Sequence, residues 1–163
     1  MLKIRSTTNN DLKEIERIFE YARQTMRDND NPTQWGNDRP GINLVENDIE
    51  NNNSYMVIDE NDKAVGTFAC IPGIEPTYLD IDGAWLNDKE YVTIHRIASD
   101  GTVSGVFDCA IEFAKSFNKD IRIDTHKNNS ITLHLIRKAG FKECGIIIVD
   151  DGTERLAFQW INN

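Results

Sequence analysis

The segment Tyr91–Phe117, YVTIHRIASDGTVSGVFDCAIEFAKSF, changes its pattern twice within one run. Its first part, Tyr91–Ala98, alternates and is β-branched, with Val92, Ile94 and Ile97 as apolar residues, which predicts a strand. Ser99-Asp100-Gly101-Thr102 has the chemistry of a turn. Val103, Val106, Phe107, Ala110, Ala114 and Phe117 then recur at three and four residues, the stripe of a helix with one buried face. The turn delivers the chain to a helix start, where the first amides have no intrahelical partner. Those amides and the helix dipole favour an anion, and Gly105 lets a phosphate approach the backbone. The plainer alternative is a strand–turn–helix unit that binds nothing.

Upstream, Leu2–Arg5 reads as a short strand, and Thr8 with Asp11 resembles a capping box. The helix that follows carries Leu12, Ile15, Ile18, Phe19, Ala22 and Met26 on one side. Pro32-Thr33-Gln34-Trp35-Gly36-Asn37 is a loop whose Trp35 either plugs the core edge or walls a pocket. Asn43–Glu50 is a shorter helix, with Glu46, Asp48 and Glu50 read as its solvated face. Ser54–Ile58 and Lys63–Ile71 form a hairpin around Asp59-Glu60-Asn61-Asp62. Pro72–Asn87 is irregular, and a connection of that length is usually functional or mobile.

Downstream, Ile121–Thr125 is a strand. Asn128 or Asn129 caps a helix with Ile131, Leu135, Ile136 and Ala139 as apolar residues, and Gly140 stops it. Phe141–Val149 and Glu154–Trp160 are strands flanking the turn Asp150-Asp151-Gly152-Thr153. The order β-α-α-β-β-β-α-β-α-β-β is an α+β pattern with a mostly antiparallel sheet of about seven strands and four helices.

The length of 163 residues predicts a single domain over 1–163, and 39% hydrophobic residues suffice for a core. No run of about 18 apolar residues exists, and no apolar signal region follows Met1–Ser6, so no membrane association is expected. Cys70, Cys109 and Cys144 lie too far apart for a CxxC metal or redox motif. They read as reduced core cysteines of a cytoplasmic protein, and no metal is expected. A net charge of -9 opposes a nucleic-acid partner, permits a cationic or amine substrate and mildly opposes an anionic ligand, so a phosphate site must be screened by backbone amides or nearby bases.

This order, with two local motifs, resembles the GNAT superfamily of acetyl-CoA-dependent N-acetyltransferases over nearly the whole chain. The family's loop pattern Q/R-x-x-G-x-G/A falls on Thr102-Val103-Ser104-Gly105-Val106-Phe107. Gly105 matches, whereas Thr102 replaces the usual Gln or Arg and Phe107 a small residue. The family's helix N-x-x-x-x-x-x-Y-x-x-x-G-F is matched by Asn129, Gly140 and Phe141, with Ile136 at the place of the tyrosine. Pro32-Thr33-Gln34-Trp35 also looks like the loop between the first two helices of some small bacterial members.

The resemblance implies a sheet that splays open beside Ile94–Ser99. The pantetheine arm of acetyl-CoA would pair there with backbone groups of Ile97 and Ser99. The pyrophosphate would sit on the amides of Val103, Ser104, Gly105, Val106 and Phe107, with the Thr102 hydroxyl as a further donor. Asn129 would contact the cofactor arm, and Trp35 and Trp85 would wall the acceptor pocket. It also admits a homodimer, to which Arg155–Trp160 would contribute. The implied reaction is direct transfer of acetyl to the amine of a small molecule or peptide. The departures at Thr102, Phe107 and Ile136 motivate an alternative, a degenerate GNAT fold that binds CoA or another ligand without catalysis.

Direct transfer needs a held thioester, a neutral amine, donors for the developing oxyanion and a leaving thiolate. With the tyrosine absent, His95 is a candidate base, because histidine titrates near neutral pH. Asp124 and His126 share one strand face and form a second candidate, as base and orienter. His134 is expected at the surface, and Arg96 in a surface or intrachain salt bridge, the alternative being a carboxylate or phosphate partner.

Overall fold

The computed structural model describes residues 1–163. In chain order they form β1 (Lys3–Ser6), α1 (Leu12–Asp28), α2 (Ile42–Glu50), β2 (Ser54–Ile58), β3 (Ala64–Pro72) and β4 (Asp82–Gly83). Then come β5 (Tyr91–Ser99), α3 (Val106–Lys115), β6 (Asp120–Thr125), α4 (Ser130–Lys138), β7 (Lys142–Ile148) and β8 (Glu154–Trp160). One sheet holds every strand in the order β1-β2-β3-β5-β6-β8-β7-β4. All neighbours run antiparallel except β5 and β6.

The α+β order predicted from sequence is the one observed, with eight strands in place of about seven. The addition is β4, which pairs Asp82 with Ile146 and Gly83 with Gly145 inside the irregular Pro72–Asn87 connection. Two residues are too few for an alternating pattern to register.

The sheet is a middle layer. Met56 and Val57 are consecutive on β2, so their side chains point to opposite faces. Val57 joins the core beneath α3 and α4, built from Phe68, Ile94, Val106, Phe107, Ala110, Ile121, Leu133 and Ile136. Met56 joins the core beneath α1 and α2, with Ile15, Ile18, Phe19 and Val45. A third cluster, Tyr78, Tyr91, Ile147 and Ala157, fastens the Pro72–Asn87 connection to the sheet.

Local chemistry sets the helix boundaries. The Asp11 carboxylate accepts from the Thr8 amide at 2.8 Å, the reciprocal half of a capping box. Arg5 grips the same carboxylate through two bonds of 2.8 Å and holds it below the usual range. Helix α3 starts at Val106, three residues later than the stripe from Val103 suggested. The residue before it, Gly105, has φ +93°, which a right-handed helix excludes and which favours glycine. In α4 the buried residues are Leu133 and Ile136, while Ile131 is exposed, so the predicted stripe was rotated. Gly140, just past the end, takes φ +91°, as expected of a C′ glycine. His134 is exposed.

One surface reading is corrected. Asp48 is only 5% exposed and is not part of a solvated face. Its carboxylate accepts from Arg96 Nε at 2.7 Å and Nη2 at 2.9 Å. Strand β8 lies inside the sheet between β6 and β7, so its backbone is not free to pair with a second copy. No helix is long and apolar enough to cross a membrane.

Candidate active site

Strands β5 and β6 are paired only over Tyr91–Thr93 and Asp120–Arg122. Beyond Thr93 they diverge, and Ile94–Ser99 presents a backbone edge without a strand partner on that side. Its other edge remains on β3, but with a bulge. Thr67 faces Ala98 while Ala69 faces His95, which leaves one extra residue on β5 at Arg96-Ile97. Arg96 takes φ +53°, an uncommon value for a residue with a side chain. The buried pair with Asp48 holds it there.

Two cavities meet at the split. One, of about 340 Å³, is bordered by Ile97, Ser99, Val103, Gly105, Val106 and Phe107. The other, of about 510 Å³, contains His95, Glu75, Asp124, Trp35, Gln34 and Arg155. Met26, Ile97, Asn129 and Thr132 border both.

Most residues expected around the cofactor thus surround the smaller cavity. Thr102 and Ser104 do not border it and are exposed. The Thr102 amide and hydroxyl both donate to Asp100 Oδ1, at 3.0 and 2.6 Å, so that hydroxyl is already committed. Asp100 is itself gripped by Arg17 at 3.0 Å, which anchors the loop to α1. A β-carbon added at Gly105 would meet only Leu2 Cδ1, at 4.0 Å, so the space above this residue is open. The Phe107 ring points into the core and is 8% exposed, so it does not obstruct the loop. Asn129 caps α4 by accepting from the Thr132 amide at 3.1 Å, and its Nδ2 donates to Gln34 Oε1 at 3.1 Å.

Asn31 was not foreseen. It borders the smaller cavity, is 1% exposed, and its Oδ1 has no hydrogen-bond partner. A buried carbonyl without a donor costs about 1–3 kcal/mol. An amide-bearing arm such as the pantetheine portion of acetyl-CoA would supply a donor to this oxygen, which has less than 1 Å² of accessible surface, after a turn of the Asn31 side chain.

In the larger cavity, His95 Nε2 lies 2.9 Å from Glu75 Oε1. Glu75 also accepts from the Thr77 amide at 2.7 Å and its hydroxyl at 2.8 Å. The His95 contact first, then the bonds from Thr77, push the Glu75 carboxyl down to about 2 against the opposing effect of burial. A carboxylate only accepts, so Nε2 carries a proton, and in neutral imidazole Nδ1 is left as the basic atom. Nearby, the Tyr78 hydroxyl donates to Asp124 Oδ2 at 2.6 Å. Burial first, then the charge of Asp124, raises the Tyr78 phenol far above its ordinary value and keeps it a donor.

Asp124 and His126 are not joined. Asp124 is taken by Tyr78, and His126 Nδ1 accepts from the Asn128 amide at 3.1 Å. Trp35 does both things considered for it, packing edge-on against Phe19 at 5.2 Å and bordering the cavity. Trp85 does not line the cavity. Its Nε1 donates to Tyr78 O at 2.8 Å, and its ring stacks against Arg122 at 4.1 Å. It supports Tyr78 from behind, because the connection turns its aromatic residues inward.

Glu75 carries a prediction. Its lowered carboxyl contributes stability that is complete above about pH 4.5 and is lost as pH falls through about 2. Glu75→Gln is expected to cost about 1.5–3 kcal/mol at neutral pH. The gap in melting temperature between wild type and variant should close between about pH 4.5 and 2. Melting curves across that range check it, and a gap independent of pH contradicts the ion-pair reading.

Fold and site together give a sheet that splits between β5 and β6, with the two cavities meeting at the opening. A GNAT-family acetyltransferase from Streptococcus agalactiae superposes with a TM-score of 0.88 at 30% identity, over 99% of this chain and 96% of that one. The chain belongs to the GNAT family of acetyltransferases. A GNAT-family acetyltransferase from Listeria monocytogenes shares the fold at a TM-score of 0.70 and 19% identity, covering 98% of this chain and 94% of that one. So does a phosphinothricin acetyltransferase from Sinorhizobium meliloti, solved in complex with AcCoA, at a TM-score of 0.67 and 11% identity over 99% and 89%. No family sequence model and no curated protein matches.

Proposed function

We propose that the chain is an N-acetyltransferase that moves the acetyl group of acetyl-CoA directly to the amine of a small molecule or peptide. The observation that carries this reading is the unpaired edge of β5 at the junction of two cavities, one suited to the donor and one to the acceptor. The edge amides of Ile97 and Ser99, the oxygen of Asn31 and the loop around Gly105 would hold acetyl-CoA, which supplies an activated acetyl group. Asp124, fixed by Tyr78, would orient the incoming ammonium. His95, fixed by Glu75, would take its proton at Nδ1. The neutral amine then forms a bond to the acetyl carbon as the carbon–sulfur bond breaks, CoA departs as thiolate, and the second amine proton is lost to solvent or to that thiolate. A thiol of pKa about 8.5 leaves without obligatory protonation. This matters because Ile136, at the usual tyrosine position, is fully buried and offers no acid. Three unpaired cysteines suit a reducing compartment such as the cytoplasm.

The test is release of CoA thiol from acetyl-CoA in the presence of an amine panel, with product masses checked for one added acetyl group. Amine-dependent release is the expected result. Tight acetyl-CoA binding without turnover of any amine would favour the non-catalytic alternative, for which the missing tyrosine speaks.

A further inference from the structure

The charged side chains of the larger cavity pair off unevenly. Arg39 is paired with Asp151, Arg96 with Asp48, and His95 with Glu75. Asp150 is exposed at a hairpin turn. Two opposite charges remain, Asp124 and Arg155, and neither has an ionic partner within 4.0 Å.

Arg155 is only 6% exposed. Its Nη1 donates to Thr153 Oγ1 at 2.7 Å and Glu154 O at 3.0 Å, and its Nη2 to Gln34 O at 3.4 Å. These acceptors are neutral, and the charges of Asp124 and Asp151 act on Arg155 only from beyond ion-pair distance. A guanidinium does not lose its proton in a protein, so a buried one needs a negative partner to offset desolvation. Asp124 faces Ala157 across the β6–β8 ladder, and Arg155 lies two residues from Ala157 on β8. The two therefore emerge on one face as diagonal neighbours, typically about 7–8 Å apart. Their charged ends do not meet within 4.0 Å, so an ammonium can sit on one and a carboxylate on the other.

We infer that the acceptor is an amino acid or a close analogue, its ammonium on Asp124 and its carboxylate on Arg155. This inference rests on the N-acetyltransferase reading and narrows it to zwitterionic acceptors. Planar, forked donors suit a carboxylate, and a site built for a charged group rejects the analogue that lacks it.

The experiment compares the common L- and D-amino acids with their carboxamides and decarboxylated amines as acceptors for the intact protein. Acetyl-CoA binding is followed separately by thermal shift. The expected result is turnover confined to one or a few amino acids, with their carboxylate-free partners poorer by roughly 10- to 100-fold in kcat/KM. Arg155→Gln should raise KM for the amino acid by a similar factor while sparing kcat and the acetyl-CoA shift. Arg155→Lys, which keeps the charge, should fall between. The wild-type comparison stands even if these variants do not fold. Acetylation of amines regardless of a carboxylate overturns this inference and leaves N-acetyl transfer standing. Acetyl-CoA binding with no amino acid accepted also overturns it. Absence of both binding and turnover overturns the broader reading as well.

Discussion

Arg96→Ala is expected to destabilise the protein by about 3–5 kcal/mol, because it leaves Asp48 buried without its cation. The effect exceeds that of a surface ion pair, since the Asp48 side chain is 6% exposed and the Arg96 side chain 19%. It also has a functional side. Arg96 occupies the bulge at φ +53°, and the pair is what ties that bulge to α2. Without the tie, the edge at Ile97 loses its fixed direction, and the acetyl-CoA thermal shift should shrink in whatever fraction remains folded. Urea unfolding of the single variant and of the Arg96→Leu/Asp48→Leu pair checks the cause. The double variant should be less destabilised than Arg96→Ala, because it buries no lone charge. Equal losses would point to backbone strain at the bulge instead.

His95→Gln is expected to lower kcat by about 10²- to 10⁴-fold, the usual contribution of a positioned general base. Glutamine keeps a donor for Glu75 but offers no basic nitrogen. Acetyl-CoA binding should be unchanged, because His95 borders only the larger cavity. Steady-state kinetics together with a pH profile of kcat separates the roles. Loss of the base should remove one limb of the profile, whereas a purely structural role would scale the whole profile down.

The fold was legible because its long elements carry strong periodicity. The apolar stripe of α1, the alternation in β5 and β6 and the glycine stop after α4 all lie within short range in sequence. The smaller cavity was partly legible for the same reason, since Gly105 and the strand before it are contiguous. The larger cavity was not. Glu75 and Tyr78 reach His95 and Asp124 from an irregular connection, and periodicity says nothing about side-chain direction there. The run Glu75-Pro76-Thr77 does carry a local signal, an acidic cap before a proline-led turn, but its partner is 20 residues away. Arg155 sits in a well-predicted strand, yet only the sheet order shows that its neighbours are Asp124 and Gln34. Asp48 misled because its helical face is polar in sequence, and the bulge that buries it is set by a strand 48 residues on.

The measurement that bears most directly on a donor held at the split sheet is the melting temperature with and without acetyl-CoA, for wild type and Gly105→Glu. A ligand at 100 times its Kd stabilises a one-site protein by roughly 2.7 kcal/mol, which moves the melt by several degrees at this size. Gly105→Glu adds a carboxylate to open space beside the first amides of α3, where an anionic pyrophosphate would lie. The φ of +93° makes the variant less stable in itself, so the comparison is between shifts and not between absolute melting points. A shift in wild type that is absent from a folded Gly105→Glu is the expected result. No shift in wild type at saturating acetyl-CoA, or an equal shift in both proteins, would contradict a donor site at this loop.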